Sequence, residues 1–176
     1  MLDKNYFLHT KTADKWQRLG TDRRAGIAVP LFSIYSSSSC GIGDFNDIKL
    51  LIDWCERCGF TILQLLPLND VGSDFAPYSS VSTFALDPMY ISLEKLAGSD
   101  NKFLNEIELI RKKYRPRFGR VNYLVKRAKI KLARKIYDRI DEQNDHELQI
   151  YINNNIYWLR DYAIFKVLKR IHKERS

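Results

Sequence analysis

"AGIAVPLFSIYSSSSCGIGDFNDIKLLIDWCERCGFTILQLLPL", Ala25–Leu68, places an amphipathic stretch between two apolar runs. Ala25–Ile34 and Phe60–Leu68 are nearly all apolar, the composition of strands buried on both faces, as in parallel sheets. Between them Phe45, Ile48, Ile52 and Cys55 recur at helical spacing, and Leu51 and Cys58 widen the stripe. Asp44 is placed to cap the helix, with Asp47 near the positive end of its dipole and Gly59 where a C-terminal cap belongs. Pro67 fits the end of the second strand rather than its middle. The segment therefore reads strand, helix, strand. That is a βαβ unit of an α/β fold, with a right-handed crossover expected.

After the second apolar run, "NDVGSDFAPYSSVSTFALDPMY", Asn69–Tyr90, has no helical or strand period over more than twenty residues. Unstructured stretches of that length in compact domains are usually functional. This one leaves the C-terminal end of a strand, the side on which parallel α/β folds bind ligands. "YISLEKL", Tyr90–Leu96, reads as a short strand or helix. From Asn101 the chain is helical. Val125, Ala128, Leu132, Ile136 and Ile140 form one apolar face, with basic residues on the others, and Ile156, Leu159, Ala163, Val167 and Ile171 trace a second long helix. Upstream, residues 1–22 are polar and mixed, with a short helix near Ala13–Leu19. Three segments follow: 1–22 as an extension or linker end, 23–98 as the strand–helix–strand unit with the long loop, and 99–176 as a helical region.

Composition narrows the function. Of the 176 residues 45% are hydrophobic and 28% charged, the balance of a globular protein. Three cysteines exclude a complete disulfide framework, and the lone C-x-x-C of Cys55 and Cys58 lacks a second ligand pair for zinc, so two reduced thiols on a helix are expected. His9, His146 and His172 are scattered, and neither H-E-x-x-H nor G-x-S-x-G occurs. No apolar run approaches the ~20 residues of a membrane helix and no secretory signal is visible, so a cytoplasmic protein is expected. "CGIGD" has Gly41 and Gly43, but Asn46 stands where a dinucleotide fingerprint needs a third small residue; a tight turn explains the glycines better. Between Arg111 and Tyr137 lie twelve Lys or Arg and no acidic residue, while the rest of the chain sums to −4. With little aromatic interleaving, that run is read as the solvated face of an amphipathic helix rather than as a nucleic-acid surface.

The loop carries the chemistry. Tyr78 offers a flat apolar ring and a hydroxyl, which matches the C–H face and hydroxyl rim of a pyranose, and Pro77 restricts the backbone before it. Ser79, Ser80, Asp74 and Asp87 are candidate hydrogen-bonding partners for sugar hydroxyls. The chemistry alone leaves a second reading open, in which Tyr78 plugs the end of a barrel or sheet.

The ordered motifs "AGIAVPLFSI", "GIGDFNDI", "QLLPLND", "PYSSVSTFALDP" and "WLRDYAIFKVLK" resemble the start of the catalytic domain of bacterial 4-alpha-glucanotransferases, the amylomaltases or disproportionating enzymes of glycoside hydrolase family 77. The resemblance runs from about Arg23 to Lys169 and is weak near residues 99–150. It implies the N-terminal part of a (β/α)8 barrel with a mainly helical inserted region. It also implies a cofactor-free, metal-free retaining transfer of α-1,4-glucan segments from a glucan donor to the 4-hydroxyl of an acceptor sugar. A complete barrel needs about 250 residues. The family's catalytic carboxylates come from later strands, so no catalytic residue is expected within this chain, which by itself is expected to be inactive. By the same resemblance Tyr78 stacks on the sugar beside the scissile bond, Pro77 and Ser79 shape its loop, and Asp87-Pro88 marks the far end. Ala76 stands where many members have Ser. The competing expectation is a non-catalytic carbohydrate- or nucleic-acid-binding module.

Overall fold

A computed structural model describes residues 3, 5–115, 121–139 and 145–172. Two short strands, β1 (Gly26–Val29) and β2 (Ile62–Leu65), pair in parallel, with Gly26 opposite Ile62 and Val29 opposite Leu65. One further hydrogen bond extends the ladder at each end, from the Thr61 amide to the Ala25 carbonyl (2.9 Å) and from the Leu66 amide to the Val29 carbonyl (3.2 Å). Six α-helices are described: α1 (Ala13–Leu19), α2 (Asp47–Arg57), α3 (Leu93–Ala97), α4 (Asn101–Lys113), α5 (Val125–Tyr137) and α6 (His146–Ile171). The βαβ order is as expected, but both strands are shorter than the apolar runs. Pro30 has no amide to donate, and Leu31–Ser33 turns into a 3-10 segment directly after it. Nor are the strands buried on both faces. Exposed and half-buried residues alternate along each, because each strand has the other as its sheet neighbour among the described residues.

Helix α2 starts later than the spacing suggests. It begins at Asp47, and Asp44 lies in the preceding turn, where its carboxylate accepts from the Asn46 amide (2.9 Å). Asp47 reaches back instead, accepting from the Asp44 amide (2.8 Å) and from the Ser39 hydroxyl (2.9 Å). The C-terminus follows the sequence. Gly59 has φ +76, its amide bonds the Glu56 carbonyl and the Phe60 amide bonds the Cys55 carbonyl. The Phe60 ring lies 5.8 Å from that of Trp54. This is a Schellman cap with its hydrophobic contact, and it satisfies carbonyls that the helix end would leave unpaired. The buried stripe is narrower than expected, since Ile52 and Cys58 are exposed. The Gly41–Gly43 segment is buried. A side chain at Gly43 would run into the carbonyls of Leu31 and Ile34, so this glycine serves close backbone packing.

The core sits beneath the helical half. Leu93, Phe103, Ile107, Leu132 and Ile136 join α3, α4 and α5, while Leu31, Ile42, Met89, Tyr90 and Val125 join α5 to the end of β1 and of the long loop. Fully burying a side chain such as Leu31 or Ile107 contributes about 1.5–3 kcal/mol. Helix α5 breaks the expected division into an apolar and a basic face. Lys126 and Lys129 are 3% and 1% exposed, so the run of basic residues is only in part a solvated face. A carboxylate faces each, but not equally: Lys126 bonds Asp87 at 2.6 Å, whereas Lys129 lies 3.7 Å from Asp44 and its ammonium has no hydrogen-bond partner among the described residues. Burial pulls the Lys129 ammonium down and, despite Lys129, pushes the Asp44 carboxyl up. The neighbouring Cys40 thiol is pushed up to about 11, chiefly by burial.

Helix α6 also turns a different face inward than expected. Ile156, Val167 and Ile171 are exposed, while Trp158, Leu159, Tyr162 and Lys166 are half-buried. The ring contacts and hydrogen bonds that join α6 to the long loop, through Phe84 and Asp70, lie on the Trp158–Tyr162–Lys166 face. Ile140, expected at the end of the α5 stripe, lies outside the described residues.

Candidate functional site

The loop that leaves β2 is closed at its base as a pseudo-hairpin. Asn69 and Leu86 form an antiparallel bridge, the Asp70 amide donates to the Ala85 carbonyl (2.9 Å) and the Asp87 amide to the Leu68 carbonyl (2.9 Å). At the far end the Ser79 amide donates to the Ala76 carbonyl (3.0 Å), closing a turn with Pro77 and Tyr78 at its centre. Proline suits the first central position because its φ is already set. Tyr78 follows it and is 78% exposed, with no other ring against it among the described residues. Ser79 and Ser80 are exposed beside it. Phe75, three residues earlier, points the other way, with its ring 5.6 Å from Phe32 and 4.5 Å from Tyr123. One aromatic thus fastens the loop and the other is presented.

Asp87 lies beneath this surface. It is 1% exposed and accepts from the Met89 amide (3.0 Å), the Val71 amide (3.3 Å) and the Lys126 ammonium (2.6 Å). Those donors occupy both oxygens, so its carboxylate belongs to the frame of the loop. Asp74 is exposed and accepts from the Phe75 amide (2.7 Å). Pro77, Tyr78 and Ser79 therefore share one turn, and Asp87 lies apart from them at the base.

A second anchor comes from α6. Asp70 is 1% exposed and accepts from the Gly72 amide (2.8 Å), the Lys166 ammonium (2.7 Å) and the Tyr162 hydroxyl. Burial alone would raise the Asp70 carboxyl, but these donors outweigh it and hold the group below its ordinary value. The Tyr162 phenol is pushed up by burial and by its bond to Asp70. Further along, Phe84 stacks on Trp158 at 5.5 Å and 16° and meets Tyr157 edge-on at 5.9 Å. Between loop and helix lies a shallow hollow of about 430 Å³, walled by Ser80, Ser82, Thr83, Asp161, Tyr162 and Phe165.

Sequence reasoning missed Lys126, Tyr162 and Lys166 as parts of this site. Tyr162 and Lys166 stand four apart in "DYAIFK", a spacing that puts them on one helix face, but nothing local to them names Asp70 as their partner. Lys126 was hidden among eleven other basic residues. Among the described residues no group of three or more His, Cys, Asp or Glu is placed to hold a metal ion.

Comparison with known proteins bears on what this arrangement is for. The family profile of 4-alpha-glucanotransferase, glycoside hydrolase family 77, matches residues 29–176. The chain belongs to that family. A curated 4-alpha-glucanotransferase of Chlamydia caviae is 37% identical over 158 residues, covering 88% of this chain and 30% of its own length. The rice 4-alpha-glucanotransferase DPE2 is 37% identical over 156 residues, 84% of this chain and 16% of its own. One from Aquifex aeolicus is 32% identical over 150 residues, 84% and 29% respectively. The chain thus spans at most about a third of the curated 4-alpha-glucanotransferases it matches. Membership of family 77 implies a barrel of the alpha-amylase type, and a small parallel sheet with many helices is consistent with part of one. Among the described residues no helix is long and apolar enough to cross a membrane.

Proposed function

We propose that the protein carrying this chain is a 4-alpha-glucanotransferase, moving α-1,4-glucan segments to the 4-hydroxyl of an acceptor sugar with retention. In this reading residues 23–98 are the first two β/α units of the barrel with its substrate-side loop, and 99–176 are a helical region inserted behind that loop. Tyr78 is the chain's own contribution to the site. The observation that carries the reading is its ring, 78% exposed on a proline-set turn at the C-terminal side of a parallel strand, in a chain of family 77. Such strand ends are where barrel enzymes build sites. An aromatic face complements the C–H face of a glucose ring, and Pro77 fixes the ring at little entropic cost. Ser79 lies beside the ring with its hydroxyl within reach of a sugar rim, and Asp87 acts from below by holding the loop base. Retaining chemistry needs two carboxyl groups about 5–5.5 Å apart. The reading places them on later strands and assigns neither to Asp70 or Asp87, whose oxygens already have partners. A cytoplasmic, cofactor-free enzyme acting on maltodextrins fits it.

The test is to express the longest reading frame containing this sequence and incubate it with maltotriose. The expected products are glucose together with maltotetraose and longer oligomers. Absence of the longer oligomers, or simple hydrolysis to glucose and maltose, would refute transferase activity.

A further inference from the structure

We infer that Lys126, on helix α5, is the positioning residue of the Tyr78 turn. Its ammonium reaches both legs of the loop at once. It donates to the Asp87 carboxylate at 2.6 Å and to the Asp74 main-chain carbonyl at 2.8 Å, and it stands 5.4 Å from the centroid of the Phe75 ring. Asp74 and Phe75 lie just before the turn, and Asp87 closes the loop after it. One cation therefore crosslinks the outgoing and returning strands of the loop below Tyr78.

The arrangement is unlike that of its basic neighbours. Lys135 and Arg139 pair with Glu106 and Asp100 on α4 and at its cap, and they remain about half exposed. Exposed pairs of this kind contribute little. Lys126 is 3% exposed and Asp87 is buried as well, so a mismatch between them would leave a charge without water or partner. A buried ammonium tolerates little displacement from its acceptors. Helix α5 is itself packed into the core through Val125, Leu132 and Ile136. The position of the loop is thereby referred to the helical core and not only to the two-stranded sheet from which it leaves. Among the described residues no hydrogen bond or ring contact joins Tyr78 to these groups, so Lys126 acts on it through the backbone of the loop.

The kinetic consequence rests on the reading of Tyr78 as a sugar platform, so the experiment separates the two. In the longest reading frame, Lys126→Met is compared with Lys126→Met combined with Asp87→Asn. The pair removes both charges and leaves an acceptor for the Met89 and Val71 amides, so that folding survives. Each is read by amide hydrogen exchange and by maltotriose kinetics, with and without Tyr78→Ala. The expected result is exchange in peptides covering residues 71–86 faster by roughly ten- to a hundredfold, the loss of a charge-assisted contact, with α2 and α4 unchanged. KM should rise more than kcat falls, and the penalty should largely vanish in the Tyr78→Ala background. Unchanged exchange in the loop would overturn the inference, and so would a penalty equally large without the Tyr78 ring. Faster loop exchange with a kinetically silent Tyr78→Ala would uphold Lys126 as the loop tie while refuting the platform.

Discussion

Tyr78 has a ring and a hydroxyl that substitution can separate. If the ring is the platform, Tyr78→Phe keeps most of kcat/KM and Tyr78→Ala loses about ten- to a hundredfold, since one well-packed aromatic contact is worth on the order of 1–3 kcal/mol. The ring is exposed in this chain, so Tyr78→Ala should leave the thermal midpoint near that of the wild type. Equal kinetics for Ala and Phe would remove the platform role. Asp70 gives a prediction about stability. Its carboxyl is held below its ordinary value in the folded state. Its contribution is therefore complete above the unfolded pKa of about 3.9 and disappears as pH falls through the folded value. Asp70→Asn should cost about 1.5–3 kcal/mol at neutral pH, and the gap to wild type should close as the pH is lowered below about 4. Denaturant titrations at pH 7 and at successively lower pH below about 4 check this; a gap that does not narrow over that acid range would show that the charge is not its source.

Among the elements, α2 shows what a sequence states openly. Gly59 could be placed from its position after the helical stripe, because a left-handed residue is the commonest way for a helix to stop. A side chain there would meet nothing within 4 Å, so Gly59→Ala isolates the cost of φ +76. That substitution should destabilise by about 1 kcal/mol and Gly59→Asn by less, as measured by urea unfolding. The start of α2 was less legible. Asp44 suits a cap by position, but the helix opens at Asp47 behind Asn46, and the Asp47 carboxylate is taken by the Asp44 amide and by the Ser39 hydroxyl, eight residues away. In α6 periodicity located the helix and mistook its face; in α5 it found the buried stripe of Val125, Leu132 and Ile136 but not the two lysines buried beside it. The α5 pattern could not show that Asp87, thirty-nine residues earlier, would draw Lys126 inside. In α6 the side that meets the loop is chosen by Asp70 and Phe84, so a polar and aromatic face turns inward and the aliphatic one outward. Polar anchors joining distant segments leave no period in the sequence. The long segment after β2 was legible as a loop with a proline-set turn because its proline, its tyrosine and its lack of period lie within fifteen residues.

Many large apolar side chains are exposed. Ile156, Ile164, Val167, Leu168 and Ile171 each leave at least half of their surface open along α6, and Ile62 does nearly so on β2. Both strands have an unpaired edge among the described residues, and such edges favour association. The 176-residue chain by itself should therefore bind a hydrophobic dye and sediment as a concentration-dependent mixture of species. A dilute monomer with a sharp thermal transition and no dye binding would contradict this.

The two anchors of the loop also have a place in time. Protein synthesis delivers Asp70 long before Lys166, which lies ninety-six residues later. At about 5–20 residues per second, that interval lasts roughly five to twenty seconds on the ribosome. For the first part of it the strands and α2 can already pair while the loop has neither lysine to set it; Lys126 follows Asp70 by fifty-six residues and Lys166 comes forty later. The nascent chain thus acquires its scaffold first and the anchors of this loop last, one with α5 and the other with α6.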